Sequence, residues 1–331
     1  MQAAICRAYG SPESIRVEEV PAPVLEPGHV RVAVRAAAVN FPDVLIIANR
    51  YQMQVPPPFV PGSEFAGRVV EVAAGIDAPA VGDAVFGTVM VGAFAEEVAA
   101  PATSLTAVPA GVDCRVAAAF GVAHRTAYHV LRSVACLQPG EQLVVLGAGG
   151  GVGLAAVQLG SVMGATVTAV ASSPEKLEAA RSMGATHLVD HRAGDLRAAL
   201  RAVLPDGADG ADVVVDPVGG DLAEPSLRSL RWGGRFVTVG YASGVIPRIP
   251  LNLVLLKGVH VLGFQFRDFA QHAPADLRRN EAELMDLLAS GRARPHIGAV
   301  FPLRDAAAAL RHVAEGRAIG KVILKVGPSP A

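Results

Sequence analysis

Leu143-Val144-Val145-Leu146-Gly147-Ala148-Gly149-Gly150-Gly151-Val152-Gly153 is the stretch whose reading decides the fold of this chain. Four apolar residues run into a bend that holds five glycines. A short apolar run bounded by glycines reads as a strand buried on both faces, and the residues after it, to Met163, read as a helix. Residues 142–174 contain no Asp, Glu, Lys or Arg, a length that could span a bilayer. Seven glycines interrupt that segment and Ser172-Ser173-Pro174 ends it, so it divides into strand, turn and helix. Glycines at the bend permit positive φ and close approach of the backbone to a diphosphate. The helix start supplies free N–H groups and the positive end of the helix dipole. Val152 stands where the third glycine of a strict G-x-G-x-x-G counted from Gly147 would fall. The context, strand before and helix after, is still the one that a dinucleotide-binding turn requires. A glycine bend that only punctuates a βα unit is the plainer alternative.

Working outward, Thr166–Ala171, His187–Asp190, Ala211–Asp216 and Phe236–Gly240 read as further strands, and Pro174–Met183 as a helix. Apolar strands alternating with helices indicate a parallel, doubly wound sheet over residues 123–262. In such a sheet an acid about 20 residues beyond the glycines binds the adenine ribose hydroxyls and favours NAD. Here Ser172 and Ser173 stand nineteen and twenty residues beyond Gly153, with Lys176 one turn later. Two hydroxyls and an ammonium suit a 2′-phosphate, which favours NADPH over NADH. Glu175 dissents, but it lies past the strand end. An ordinary surface role for Lys176 is the alternative.

Residues 1–120 have a different rhythm. Pro27-Gly28 opens His29–Val39, where Val30, Val32 and Val34 alternate with polar or small neighbours. Phe65–Val72, Ala84–Phe86 and Ala93–Ala99 are further strand candidates, and prolines are frequent, so a β-rich, barrel-like domain is expected. Residues 263–331 mix helices (Ala275–Ser290, Asp305–Ala314) with a terminal strand, Lys321–Leu324. At about 150 residues per domain, 331 residues make two domains. With 51% hydrophobic and 18% charged residues the chain is not disordered, and 29 basic against 30 acidic residues argue against a nucleic-acid partner. The three cysteines, Cys6, Cys114 and Cys136, form no disulfide framework, and the N-terminus lacks a signal-peptide layout, so a cytoplasmic location without membrane attachment is expected. A catalytic zinc needs three protein ligands, and the nine scattered histidines supply no such set.

Six motifs together resemble the zinc-free NADPH:quinone oxidoreductases of the medium-chain dehydrogenase/reductase superfamily, over nearly the whole chain. They are Val39-Asn40-Phe41-Pro42-Asp43, Pro58-Phe59-Val60-Pro61-Gly62-Ser63-Glu64, Ala127-Tyr128-His129-Val130-Leu131, Gly150-Gly151-Val152-Gly153-Leu154, Asp216-Pro217-Val218-Gly219-Gly220 and Gly320-Lys321-Val322. The resemblance implies an α/β chain built of a GroES-like β-rich barrel domain (1–122 and 263–331) and a Rossmann domain (123–262), with the active site in the cleft between them. Zinc-dependent relatives carry a cysteine where Phe41 or Pro42 stands, Gly-His-Glu where Gly62-Ser63-Glu64 stands, and a lobe of four cysteines; none of these is present.

The resemblance also implies roles. Asn40 falls near the nicotinamide ribose, unless it only forms the turn before Phe41-Pro42. Thr126 falls near the nicotinamide, Gly150, Gly151 and Val152 hold the pyrophosphate, and Ser172, Ser173 and Lys176 hold the 2′-phosphate. Many relatives have Asp-Tyr-Arg where Asp190-His191-Arg192 stands, which leaves the role of His191 open. Gly240 and Tyr241 end a strand beside the nicotinamide. Phe264 and Phe266 line the cleft or are core aromatics. The implied reaction is hydride transfer from NADPH to a quinone or related enone, with Asn40 or Tyr51 as donor to the developing oxyanion. An enoyl-thioester (enoyl-CoA type) reductase is the rival, because Tyr51 follows Asn40 by eleven residues, a spacing resembling the proton-donor tyrosine of those enzymes. A non-enzymatic NADPH-binding sensor is the third reading. A homodimer through the edge strand Val259–Phe264 is expected.

Overall fold

The computed structural model describes residues 1–204 and 210–327 of the chain. In chain order, β1 (Gln2–Ile5) and β2 (Arg16–Glu19) form an antiparallel ribbon. They are followed by β3 (His29–Val39), α1 (Phe41–Ile47), β4 (Glu64–Val72), β5 (Ala84–Thr88), β6 (Glu97–Pro101), β7 (Leu105–Ala107) and α2 (Cys114–Ala118). Then come α3 (Ala123–His129), β8 (Gln142–Leu146), α4 (Gly151–Val162), β9 (Thr166–Ala171), α5 (Pro174–Ser182), β10 (His187–Asp190), α6 (Leu196–Val203) and β11 (Ala211–Asp216). The chain continues through α7 (Ala223–Arg228), β12 (Leu230–Thr238), α8 (Leu251–Lys257), β13 (His260–Gly263), α9 (Phe266–His272) and α10 (Pro274–Ala289). It ends in β14 (Ile297–Pro302), α11 (Ala306–Ala314) and β15 (Lys321–Lys325).

The chain divides into two compact units, Met1–Val122 with Ile297–Ala331, and Ala123–His296. Reading from sequence put the second boundary at 262/263. Residues 263–296 fall instead in the Rossmann unit, where α10 is tied to α3 by a half-buried ion pair and a hydrogen bond: Arg125 Nε lies 2.8 and 2.9 Å from the two Glu281 oxygens, and His129 Nε2 lies 3.0 Å from Glu281 Oε1. These pairs join residues more than 150 positions apart, out of reach of any local pattern.

The second unit holds a six-stranded parallel sheet in the order β10-β9-β8-β11-β12-β13. Numbered from β8 this is 3-2-1-4-5-6, the doubly wound Rossmann order. Leu143–Leu146 of β8 and Val213–Val215 of β11 are fully buried, as their unbroken apolar runs require for strands covered on both faces. β12 ends at Thr238, where its pairing with Asp216 and Gly263 stops, so Gly240 and Tyr241 lie in the loop beyond the strand rather than at its end.

The first unit holds a seven-stranded sheet with β14-β15-β3-β4-β5-β7 as its path and β6 paired to β3. This is the GroES-like architecture, and among the described residues the path from β14 to β7 is open rather than a closed barrel. In β3, Val30, Val32 and Val34 are buried in alternation, then Ala36–Val39 are buried without a break. The change falls where β15 joins β3, at Ala36–Val39, and α2 packs over β3 and β4. The strand expected over Ala93–Ala99 is β6 at Glu97–Pro101; Ala95 makes only an isolated bridge with Ala3.

Candidate active site: a glycine bend and a buried charged network

In the second unit the sheet reverses its winding between β8 and β11, and this switch point is where a doubly wound sheet opens a crevice. The glycine bend follows β8, and the Asp216–Gly220 loop follows β11. Gly147 has φ +60°, and a Cβ there would stand 2.6 Å from Val218 Cγ2. A Cβ on Gly149 would meet Lys176 Cβ at 2.5 Å, and one on Gly153 would meet the Gly147 carbonyl oxygen at 2.1 Å. At these three positions the bend leaves no room for a side chain without a shift. Gly150 caps α4, whose first-turn N–H groups point out of the helix end. Asp216 Oδ1 fixes the facing loop by accepting the Val218 and Gly219 N–H groups at 2.8 Å each. Burial pushes the Asp216 carboxyl above its usual range against those two donors.

At the end of β9, Ser173 caps α5 and accepts the Lys176 N–H at 3.4 Å. Lys176 Nζ reaches Ser172 Oγ at 3.5 Å. Burial first, and then the positive charge of Arg192, hold the Lys176 ammonium below its ordinary pKa. The same two causes, in the same order, lower His191. Lys176, His191 and Arg192 thus gather at the carboxyl ends of β9 and β10, where Asp190 pairs with Ala171. Arg192 is the residue that the sequence reading passed over. Its signal was its position one residue past His191, in the turn that follows β10. Glu175 is exposed at the surface. Two hydroxyls and a basic cluster beside a glycine bend at a helix N-terminus fit the 2′-phosphate and diphosphate of NADP(H).

The other residues expected in this unit are placed as follows. Thr126 is half-buried on α3. Tyr241 packs where Gly219 leaves room, since a Cβ on Gly219 would stand 2.9 Å from Tyr241 Cδ1. Phe264 and Phe266 belong to an aromatic cluster with Phe269 and His129, with the His129 ring 6.3, 5.6 and 4.9 Å from Phe264, Phe266 and Phe269. The Arg125 guanidinium lies 5.5 Å over the Phe266 ring.

Asn40 and Tyr51 lie in the first unit. Asn40 ends β3 and opens α1 through a capping box with Asp43, whose Oδ2 accepts the Asn40 N–H at 2.7 Å. The Asn40 side chain is committed inward: Nδ2 donates to Glu64 Oε2 at 3.0 Å, and Oδ1 accepts from Lys321 Nζ at 2.5 Å. Asn40 is only 8% exposed, which weakens its case as the donor to a substrate oxyanion. Tyr51 is half-buried, and burial together with the nearby Asp43 charge raises its pKa, so the phenol keeps its proton at neutral pH.

Asp43 is 1% exposed, and burial pushes its carboxyl up to about 7, with the Glu64 charge adding to the rise. The Asn40 N–H, Ser63 and Lys321 pull the other way. Between the unfolded value near 4 and the folded value near 7, the folded chain binds the proton that the unfolded chain releases. Stability therefore falls as pH rises through that window. Urea unfolding of wild type and D43N at pH 5 and pH 8 is expected to show the wild type losing more stability than D43N between the two; equal losses would remove Asp43 as the cause.

The family model for alcohol dehydrogenase GroES-like domains matches residues 26–110, and that for zinc-binding dehydrogenases matches residues 151–289. Quinone oxidoreductase-like protein 2 of Bos taurus is 36% identical over 326 residues, 98% of this chain and 92% of that protein. This chain belongs to the medium-chain dehydrogenase/reductase family, in its quinone oxidoreductase type. The quinone oxidoreductase of Thermus thermophilus, solved also as its complex with NADPH, superposes on this reductase with a TM-score of 0.84. The two are 33% identical, with 98% of this chain and 100% of that chain covered. The reductase is also 38% identical over 306 residues, 92% of its length, to 5% of the polyketide synthase GfsB of Streptomyces halstedii.

One of the two matched family models carries zinc in its description, and the residues here do not fit that ion. No cysteine stands at Phe41 or Pro42 and no histidine at Ser63, where the resemblance expects the ligands of zinc-dependent relatives. Among the described residues no group of three His, Cys, Asp or Glu could hold a metal. His187 and His191 are four apart, but one lies in β10 and the other beyond its end, so they do not share a helix face. Also among the described residues, no helix is long and apolar enough to cross a membrane.

Proposed function

We propose that this reductase works without zinc and carries hydride from NADPH to a quinone or a related activated enone. The carrying observation is the glycine bend at the switch point, with Ser172, Ser173, Lys176 and Arg192 at the neighbouring strand ends. The relatives' NADPH complexes support the cofactor, and the Bos taurus protein's name supports the acceptor. When bound, the reduced nicotinamide supplies the hydride. The bend and the α4 N-terminus hold the diphosphate, and the serines and basic cluster hold the 2′-phosphate. Thr126, Gly240, Tyr241, Phe264 and Phe266 orient the nicotinamide end. Tyr51, protonated at neutral pH, donates to the oxygen on which charge develops. A hydroquinone oxygen also takes its proton readily from water, so quinone turnover does not depend on one protein acid.

The test is a panel of 9,10-phenanthrenequinone, 1,4-benzoquinone, simple enones and a short enoyl-CoA, run with NADPH and NADH side by side. Steady oxidation of NADPH by a quinone is expected. Binding of NADPH with no turnover across the panel would replace this reading with the sensor. The enoyl-thioester reductase is kept as second reading on one observation: the half-buried, protonated Tyr51, in a chain similar to a stretch of a polyketide synthase.

The protein is further read as a homodimer. Among the described residues β13 pairs on one side only, with β12, and Val261 on it is exposed. Leu251, Leu255 and Leu256 of the neighbouring segment are each more than three-quarters exposed, and so is Trp232. An unpaired edge beside exposed apolar side chains favours a second copy. Sedimentation at twice the chain mass is the expected result, and a monomer at all concentrations would exclude the dimer. The scattered free cysteines keep the cytoplasmic reading, which cell fractionation tests.

A further inference from the structure

Lys321 has no part in the function proposed above. β15 and β4 both flank β3, with Val322 paired to Val39 and Glu64 to Ala38, so Lys321, Asn40 and Glu64 meet at three neighbouring strand ends. Lys321 is 3% exposed and Glu64 0%. Lys321 Nζ donates to Glu64 Oε2 at 2.8 Å and to Asn40 Oδ1 at 2.5 Å. The same Glu64 oxygen accepts from Asn40 Nδ2 at 3.0 Å, and the other accepts the Val122 N–H at 2.7 Å. An amide's two ends are nearly the same size, so an asparagine held by packing alone can turn over. An ammonium can only donate and a carboxylate can only accept, so here the carbonyl end must face Lys321 and the nitrogen end must face Glu64.

We infer that Lys321 is a positioning residue: held by Glu64, it fixes the polarity of the Asn40 amide so that Asn40 meets a bound ligand as a donor, through its second Nδ2 hydrogen, and never as an acceptor. Among the described residues that hydrogen reaches only the Ala38 carbonyl, at a long 3.4 Å, a contact that a ligand oxygen can take over. The group served is an oxygen acceptor of the bound cofactor, such as a ribose hydroxyl. The inference rests on the functional reading for its ligand, together with the expectation that Asn40 stands beside that ligand.

The test combines K321M, N40S and the double variant, in steady-state NADPH oxidation with 9,10-phenanthrenequinone and in side-chain 15N–1H spectra of asparagine-labelled protein. The chain has four asparagines, Asn40, Asn49, Asn252 and Asn280, so the Asn40 signals are identified by their loss in N40S. K321M and N40S are each expected to lower kcat/KM tenfold or more, and the double variant no more than twofold beyond either. In K321M the Asn40 amide pair is expected to shift and lose protection from exchange, with the Asn280 pair unmoved. Effects that multiply in the double variant, or an unmoved Asn40 pair in K321M, would overturn the inference. A wild type that fails to oxidise NADPH with any acceptor of the panel defeats the functional reading instead, and the spectra still decide whether Lys321 holds the amide. Should K321M fail to fold, E64Q/K321M removes the buried charges as a pair and carries the same two measurements.

Discussion

K176E is expected to raise the KM for NADPH about a hundredfold while leaving the KM for NADH within about threefold. A charge-assisted hydrogen bond to a phosphate contributes roughly 1.5–3 kcal/mol, and 1.4 kcal/mol is a factor of about ten. Reversing the sign adds repulsion from the dianion. Lys176 is placed for this contact by local structure: Ser173 caps α5 by accepting its N–H, and its ammonium lies at 3.5 Å from Ser172. Its aliphatic stem also fills the space that Gly149 leaves, so the charge effect needs a control that keeps the stem. K176M keeps it, and a tenfold to thirtyfold rise for NADPH alone is the expected outcome, on the order of one lost charged hydrogen bond. R192E should act in the same direction, since Arg192 depresses both Lys176 and His191 through its charge. Initial rates with both coenzymes read all three variants. Equal losses for NADPH and NADH would show that Lys176 only supports the glycine bend.

Y51F is expected to abolish most enoyl-thioester turnover, by about a hundredfold to ten-thousandfold, the usual contribution of a positioned acid, and to leave quinone turnover within about threefold. An enoyl thioester that has accepted hydride becomes an enolate carbon that must be protonated in place, whereas a hydroquinone oxygen is protonated by water. In the first unit Tyr51 is the candidate that can give up a proton, because the Asn40 amide, held by Glu64 and Lys321, can donate a hydrogen bond but not release its proton. Burial and the Asp43 charge both hold the phenol proton in the neutral range. Crotonyl-CoA turnover retained in Y51F would remove Tyr51 from the chemistry. No turnover of any enoyl thioester by the wild type would leave the quinone reading without a rival of this class.

Reading the sequence located the glycine bend, the serine pair and Lys176 where the structure has them, because each depends on neighbours within a few residues. The strand read at Leu143–Leu146 falls within β8, and Thr166–Ala171, His187–Asp190 and Ala211–Asp216 coincide with β9, β10 and β11; in β8 and β11 the buried runs Leu143–Leu146 and Val213–Val215 announce a strand covered on both faces. Ala93–Ala99 and Phe236–Gly240 were displaced because their bounds follow the pairing register with β3 and with β11 and β13, not their own composition. Arg192 was legible in principle, next to a residue already singled out. The commitment of Asn40 was not, since its partners lie 24 and 281 residues away.

By itself the sequence determined that a Gly-rich strand-turn-helix sits in a parallel α/β unit between β-rich segments, since periodicity and glycine chemistry act locally along the chain. Only the tertiary structure decided that residues 263–296 join the Rossmann unit and that Lys321, Glu64 and Asn40 share one buried network. Both outcomes rest on which strands and helices become neighbours. A buried charge is stable only when its partner arrives with it, and no residue pattern within a single element can say where that partner comes from.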